Sequence, residues 1–165
     1  MVSLAIGTAR TMVIADIPEV SPADAFAALR NPGSNLDGNL KKAALLDVRS
    51  SAECTFVGQP DLKGLQRAVL LSIEWQIFPG MRSNPDFLTQ VGIAMQAEKL
   101  DPSCDLFVLC RSGARSLAAA RAIVAAGMAN AVNVTGGFEG DLDPVSGHRG
   151  ASNGWKAAGL PWRQS

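Results

Sequence analysis

Apolar residues fall into two patterns along this chain. Short, nearly unbroken runs stand at Ala43-Ala44-Leu45-Leu46-Asp47-Val48, Ala68-Val69-Leu70-Leu71, residues 105–109 and Ala131-Val132-Asn133-Val134. Runs of this length without regular polar alternation predict strands buried on both faces, as in a parallel sheet covered by helices. Between them lie stretches of helical character. Ser21-Pro22-Ala23-Asp24 reads as a helix start, with Ser21 as N-cap, proline in the first turn and an acid beside it. That helix carries Phe26 and Leu29 inward and stops before Asn31-Pro32-Gly33. Asn84-Pro85-Asp86 repeats the same start and places Phe87, Val91, Ala94 and Met95 on one face. A third helix is predicted from about Ala114 to Ala126, ended by Gly127. A short terminal helix covers Asn153 to Ala158, before Gly159-Leu160-Pro161. Residues 49–67 read as loop with a single helical turn. Residues 1–16 have weak patterning and read as an arm, leaving one domain over 17–165. Strands alternating with helices predict an α/β fold.

Composition narrows the function classes. The chain has 165 residues, 47% hydrophobic and 18% charged, with 15 basic and 15 acidic side chains. A balanced charge argues against a nucleic-acid partner. No apolar stretch approaches the roughly 20 residues of a membrane-spanning helix. The opening Met1-Val2-Ser3-Leu4-Ala5-Ile6-Gly7 lacks the basic start of a signal peptide. Three irregularly spaced cysteines, Cys54, Cys104 and Cys110, are no disulfide framework, and a cytoplasmic setting is expected. With His148 the only histidine and no paired Cys-x-x-Cys, no metal site is expected, and no motif calls for a cofactor.

The chemistry concentrates in one segment. The apolar run Leu106-Phe107-Val108-Leu109 leads into Cys110-Arg111-Ser112-Gly113-Ala114-Arg115-Ser116, and then into an Ala-rich helix. A cysteine between a strand end and a helix start meets backbone N–H groups that favour negative charge. With Arg111 and Arg115 adjacent, its thiolate is favoured. Cys110 is therefore the candidate nucleophile. Arg115 is the candidate fork for sulfonate-like oxygens, with Arg111 as a second cation. Ser112 and Ser116 offer hydroxyls to the sulfur or cap the helix, and Gly113 permits the tight turn. Cys54 and Cys104 lie beside acids and read as bystanders; His148 reads as a surface residue. Trp75, Trp155 and Trp162 read as packing or rim residues. Phe78-Pro79-Gly80-Met81-Arg82 is expected as a loop near the site.

Four segments stand in order along the chain: Asp47-Val48-Arg49 followed by Glu53, the Cys110-to-Ser116 loop, Asn133-Val134-Thr135-Gly136-Gly137, and Gly154-Trp155 with Gly159-Leu160-Pro161. Together, over roughly Ile17 to Trp162, they resemble the rhodanese-like sulfurtransferases. The resemblance implies a mainly parallel five-stranded sheet with helices on both faces. It implies that Cys110 takes a sulfane sulfur from a small anionic donor such as thiosulfate. The resulting persulfide would pass its sulfur to a thiol or cyanide-like acceptor, a protein acceptor being compatible. Asp47, Arg49 and Glu53 are expected to pair and hold loops rather than do chemistry. The family's common Gly-His-Ile-x-Gly-Ala segment is replaced by residues 58–67, which read as an insertion. The 138–153 segment is longer than in minimal members.

Two alternatives stand beside this reading. A rhodanese-related cysteine phosphatase needs one more residue between cysteine and arginine, and commonly a histidine where Leu109 stands. The shorter loop suits a single sulfur atom rather than a phosphate. A non-catalytic carrier or regulatory module often lacks the cysteine, which is present here.

Overall fold

A computed structural model describes residues 16–33 and 41–164. The arm expected over residues 1–16 falls, Asp16 apart, outside the described residues. In chain order the elements are β1 (Glu19–Val20), α1 (Pro22–Arg30), β2 (Ala43–Asp47), α2 (Ser51–Val57), β3 (Gln59–Pro60), β4 (Ala68–Ser72) and β5 (Gln76–Ile77). There follow β6 (Arg82–Ser83), α3 (Phe87–Ala97), β7 (Asp105–Leu109), α4 (Ala114–Ala125), β8 (Asn130–Val134), α5 (Gly154–Ala157) and β9 (Trp162–Arg163).

Five strands form one parallel sheet in the order β1-β8-β7-β2-β4. The apolar runs are its inner strands, and the alternation of side chains sorts them between two cores. Ala44, Leu46 and Val48 after β2, with Leu106, Val108 and Cys110 after β7, face Phe87, Val91 and Met95 of α3 and Ala119, Ala120 and Ile123 of α4. Ala43 and Leu45, with Phe107 and Leu109, face Ala25 and Leu29 of α1, Phe138 and Trp155. The fold is thus a mainly parallel five-stranded α/β sheet with helices on both faces, as the sequence implied.

The helix starts obey local chemistry. Ser21 Oγ accepts the Asp24 N–H at 3.1 Å, as an N-cap does. Helix α3 begins at Phe87, later than the expected start at Asn84. Asn84 donates its side-chain amide to the Glu74 carbonyl at 2.8 Å and accepts the Asp86 N–H, so residues 84–86 form a turn instead. The region expected as loop with one turn holds α2, a helix of seven residues. Its start is a capping box: Ser50 Oγ accepts the Glu53 N–H, and the Glu53 carboxylate accepts the Ser50 N–H. The insertion has a structural use, since β3 pairs antiparallel with β9 and docks the chain's end.

The topology fixes where a ligand can sit. β2 and β7 are neighbours, with Asp47 opposite Leu109. β2 leads on to β4 on one side, and β7 to β8 on the other. Such a divergence opens a crevice beyond the carboxyl ends of the strands. Val48–Ser50 and Cys110–Gly113 are the segments that enter it.

Candidate active site

Cys110 is the first residue after β7 and is 1% exposed. Gly113, the N-cap of α4, has φ of 108°, a conformation that favours glycine. The turn it makes aims its own N–H at Cys110 Sγ, 3.1 Å away. The N–H groups of Arg111, Ser112, Ala114, Arg115 and Ser116 find no acceptor among the described residues. Gly136-Gly137 closes the back of the loop. A Cβ on Gly137 would meet the Cys110 carbonyl oxygen and lie 2.6 Å from the Arg111 carbonyl carbon. The Phe138 and Glu139 N–H groups then donate to the Cys110 and Arg111 carbonyls at 2.8 and 2.9 Å.

The fully buried Ser116 reaches back from α4. Its Oγ lies 3.3 Å from Cys110 Sγ, 3.0 Å from the Gly113 carbonyl and 2.7 Å from Asn133 Oδ1. The Asn133 amide nitrogen in turn donates to Glu19 Oε2 at 2.6 Å. Asn133 was visible in the sequence only as part of a motif, and Glu19 carried no signal there.

Arg115 is placed differently from its expected use. Its two terminal nitrogens grip the Glu53 carboxylate at 2.9 and 2.6 Å, so the fork expected to meet substrate is occupied by α2. Burial opposes ionisation of Glu53, but hydrogen bonds from Arg115 and Ser50 prevail and hold its carboxyl at about 2. The Glu53 bond raises Arg115 in turn. Arg111 is exposed, and neither it nor Arg149 has a carboxylate partner among the described residues.

Asp47 and Arg49 are both fully buried and paired at 2.6 Å. Arg49 also donates to the Gly58 carbonyl at 2.9 Å and stacks 4.0 Å from the Phe138 ring centroid. The pair binds the end of β2 to the turn after α2. Cys54 Sγ lies 3.7 Å from Asp47 Oδ2. Burial and the Asp47 charge push its thiol up to about 12. Burial, with Asp101 and Asp105, pushes Cys104 up to about 11.

Cys110 forms the floor of an open cleft of about 810 Å³. Arg111, Ser112, Ala114 and Arg115 line its base, and Ser50, Glu53, Phe56 and Val57 one wall. Phe78 and Met81, from the turn joining β5 and β6, also line it, with Gln76 of β5. Glu139 and Arg149 come from the long 138–153 segment. Phe56 and Phe78 are 76% and 57% exposed. Sequence reasoning had pointed to Glu53, to the Phe78–Met81 loop and to the 138–153 segment at the rim, and missed Ser50, Phe56, Val57 and Gln76. His148 is exposed, and Trp155 is buried in the core. Among the described residues no three His, Cys, Asp or Glu side chains gather into a metal-binding group, and no helix is long and apolar enough to cross a membrane.

Comparison with known proteins agrees with this geometry. The family model of the rhodanese-like domain matches residues 34–142. The uncharacterized protein RP600 of Rickettsia prowazekii is 36% identical over 121 residues, covering 73% of this chain and 83% of that protein. The uncharacterized protein RC0915 of Rickettsia conorii matches to the same extent. The crystal structure of Rv0390 from M. tuberculosis is 39% identical, with a TM-score of 0.74, covering 92% of this chain and all of that one. The solution structure of the polysulfide-sulfur transferase homodimer from Wolinella succinogenes shares the fold at 19% identity and a TM-score of 0.52, over 90% of this chain and 80% of that one.

Proposed function

The chain belongs to the rhodanese-like domain family, and on that premise we propose that it is a sulfurtransferase working through a persulfide on Cys110. In the first step the Cys110 sulfur attacks the outer sulfur of an anionic donor such as thiosulfate. A Cys110 S–S bond forms, the donor's S–S bond breaks, and sulfite leaves with the electron pair. In the second step a thiol or cyanide-like acceptor attacks the outer sulfur, the S–S bond breaks, and the Cys110 thiolate departs. Splitting the transfer this way replaces one difficult displacement by two easier ones.

The single observation that carries the reading is the loop around Cys110. One N–H already donates to the sulfur, and those of five other loop residues have no acceptor among the described residues. Donors of this kind stabilise a terminal persulfide anion at no cost in reorganisation. Arg111, without a carboxylate partner among the described residues, is a cation placed to meet donor oxygens, while Arg115 holds α2 against α4. Arg115 stands five positions after Cys110 along the chain, with four residues between them, which makes a cradle for one sulfur rather than for a tetrahedral phosphate. A cytoplasmic setting fits the free thiols.

The test is steady-state thiocyanate formation from thiosulfate and cyanide, run beside phosphate release from an aryl phosphate. Ping-pong thiocyanate formation without phosphate release supports the reading. Phosphate release at a comparable rate, lost in Cys110→Ser, would turn the assignment to a phosphatase.

A further inference from the structure

We propose that Glu19 and Asn133 are positioning residues that decide, through Ser116, whether the Cys110 sulfur meets a hydrogen-bond donor or a lone pair. The proposal deepens the sulfurtransferase reading by naming what regulates its nucleophile.

It follows from counting protons. Ser116 has one hydroxyl proton and three acceptors within reach: Asn133 Oδ1 at 2.7 Å, the Gly113 carbonyl at 3.0 Å and Cys110 Sγ at 3.3 Å. Which one receives it depends on how the Asn133 amide faces, since an amide offers donors at one end and acceptors at the other. Glu19 settles that. Parallel pairing of β1 with β8 sets Glu19 directly opposite Asn133. An ionised carboxylate only accepts, so the amide nitrogen must turn to it, and Asn133 Oδ1 then faces Ser116. Asn133 is 2% exposed, so an unpaired Oδ1 would be costly. The Ser116 proton is therefore committed to Asn133. What Ser116 turns toward Cys110 is a lone pair, suited to accept from S–H and opposed to a bare thiolate or persulfide anion.

Remove the charge on Glu19, and the constraint goes. With glutamine at position 19, the Asn133 amide can turn over, donate to Ser116 Oγ and accept from the new side chain. The Ser116 hydroxyl is then released from Asn133 and shared between the Gly113 carbonyl and the sulfur, an anionic sulfur being the stronger acceptor. Glu19 is exposed and lies on a two-residue edge strand, outside the residues lining the cleft. It thus acts on the sulfur from the edge of the sheet, across β8. The charged groups facing the cleft around Cys110 are Arg111, Arg115, Glu53, Glu139 and Arg149, and this substitution touches none of them.

The experiment is alkylation of Cys110 by a small neutral reagent across a pH series, followed by peptide mass, in wild type, Glu19→Gln, Ser116→Ala and the double variant. It needs no sulfur donor, so its outcome is independent of whether the protein transfers sulfur. In Glu19→Gln the acid limb of the pH–rate profile should move about one pH unit lower, since a hydrogen bond to a charged group is worth about a tenfold change. Because nucleophilicity falls with basicity, by a Brønsted slope of about 0.4–0.5, the rate at pH 6 should rise about threefold. With Ser116→Ala in the background, the effect of Glu19→Gln should vanish. An unchanged profile in Glu19→Gln would overturn the proposal. So would a shift of equal size without the Ser116 hydroxyl, which would mark a through-space charge effect.

Discussion

Cys110 and Cys54 invite comparison, because both lie beyond the carboxyl ends of adjacent central strands and close to the start of a helix. Cys110 directly follows β7 and faces one N–H donor and a hydroxyl: the Gly113 N–H and Ser116 Oγ. Cys54 lies within α2 and faces an acceptor, Asp47 Oδ2. Each has arginines nearby. Near Cys54, however, the Arg49 fork is spent on Asp47, and burial with that carboxylate pushes the thiol to about 12. A neighbouring cation therefore says little about a cysteine until its partners are known. On the proposed function, what separates the working sulfur from the idle one is which polar atoms point at it.

The comparison breaks most visibly by substitution at the two sulfurs. Cys110→Ser should reduce sulfur transfer at least about 10³-fold, as removal of a nucleophile does, with thermal unfolding little changed. Cys54→Ser should leave transfer within about twofold. Both are read from initial rates of thiocyanate formation. Comparable losses in the two variants would abolish the distinction.

On the Cys54 side the damage should appear in stability instead. Arg49→Met leaves Asp47 fully buried without its partner, and should cost about 3–5 kcal/mol by chemical denaturation. A cost under about 1 kcal/mol would show that the pair is dispensable.

Glu53 joins the two sides, and its effect has a sign set by pH. Its folded carboxyl sits at about 2, below the ordinary value. The stabilisation is therefore complete above about pH 4.5 and is lost as pH falls toward about 2. Glu53→Gln should flatten that slope, and above pH 5 lower stability by about 1–2 kcal/mol, allowing for the partial exposure of the pair. Parallel acid-denaturation slopes in the two proteins would contradict the assignment.

The sharpest but smallest effect is among the wild-type thiols themselves. With Cys54 and Cys104 raised to about 12 and 11, both are almost wholly protonated near neutrality. Cys110 should alkylate at least about tenfold faster at pH 6–7. Faster labelling of either other cysteine would remove the physical basis for choosing Cys110.

Much of this was legible in the sequence where the cause is local. The β7–loop–α4 unit announces itself through an unbroken apolar run, a polar turn with glycine, and an Ala-rich helix, all within consecutive residues. α1 is written in Ser21, Pro22 and Asp24. Helix α2 was obscured because none of its residues is buried, so it has no apolar stripe to read. The capping box of Ser50 and Glu53 was the signal available for it. Strands β3 and β9 exist because Gln59 meets Arg163, a pairing that nothing local specifies. The same holds for the site. Its loop could be read off, but the grip of Glu53 on Arg115 spans 62 residues and that of Asn133 on Glu19 spans 114. Phe56 and Arg149 reach the cleft only through packing of segments whose own composition is unremarkable loop or surface helix.

The central claim is that Cys110 alone accepts the sulfur, and one measurement reaches it directly. The protein is incubated with thiosulfate, separated from it, digested without reductant and mapped by peptide mass. The account predicts one added sulfur atom on the peptide carrying Cys110, none on those carrying Cys54 or Cys104, and its loss on treatment with cyanide. Sulfur on either of the other cysteines, or on none of the three, would contradict it.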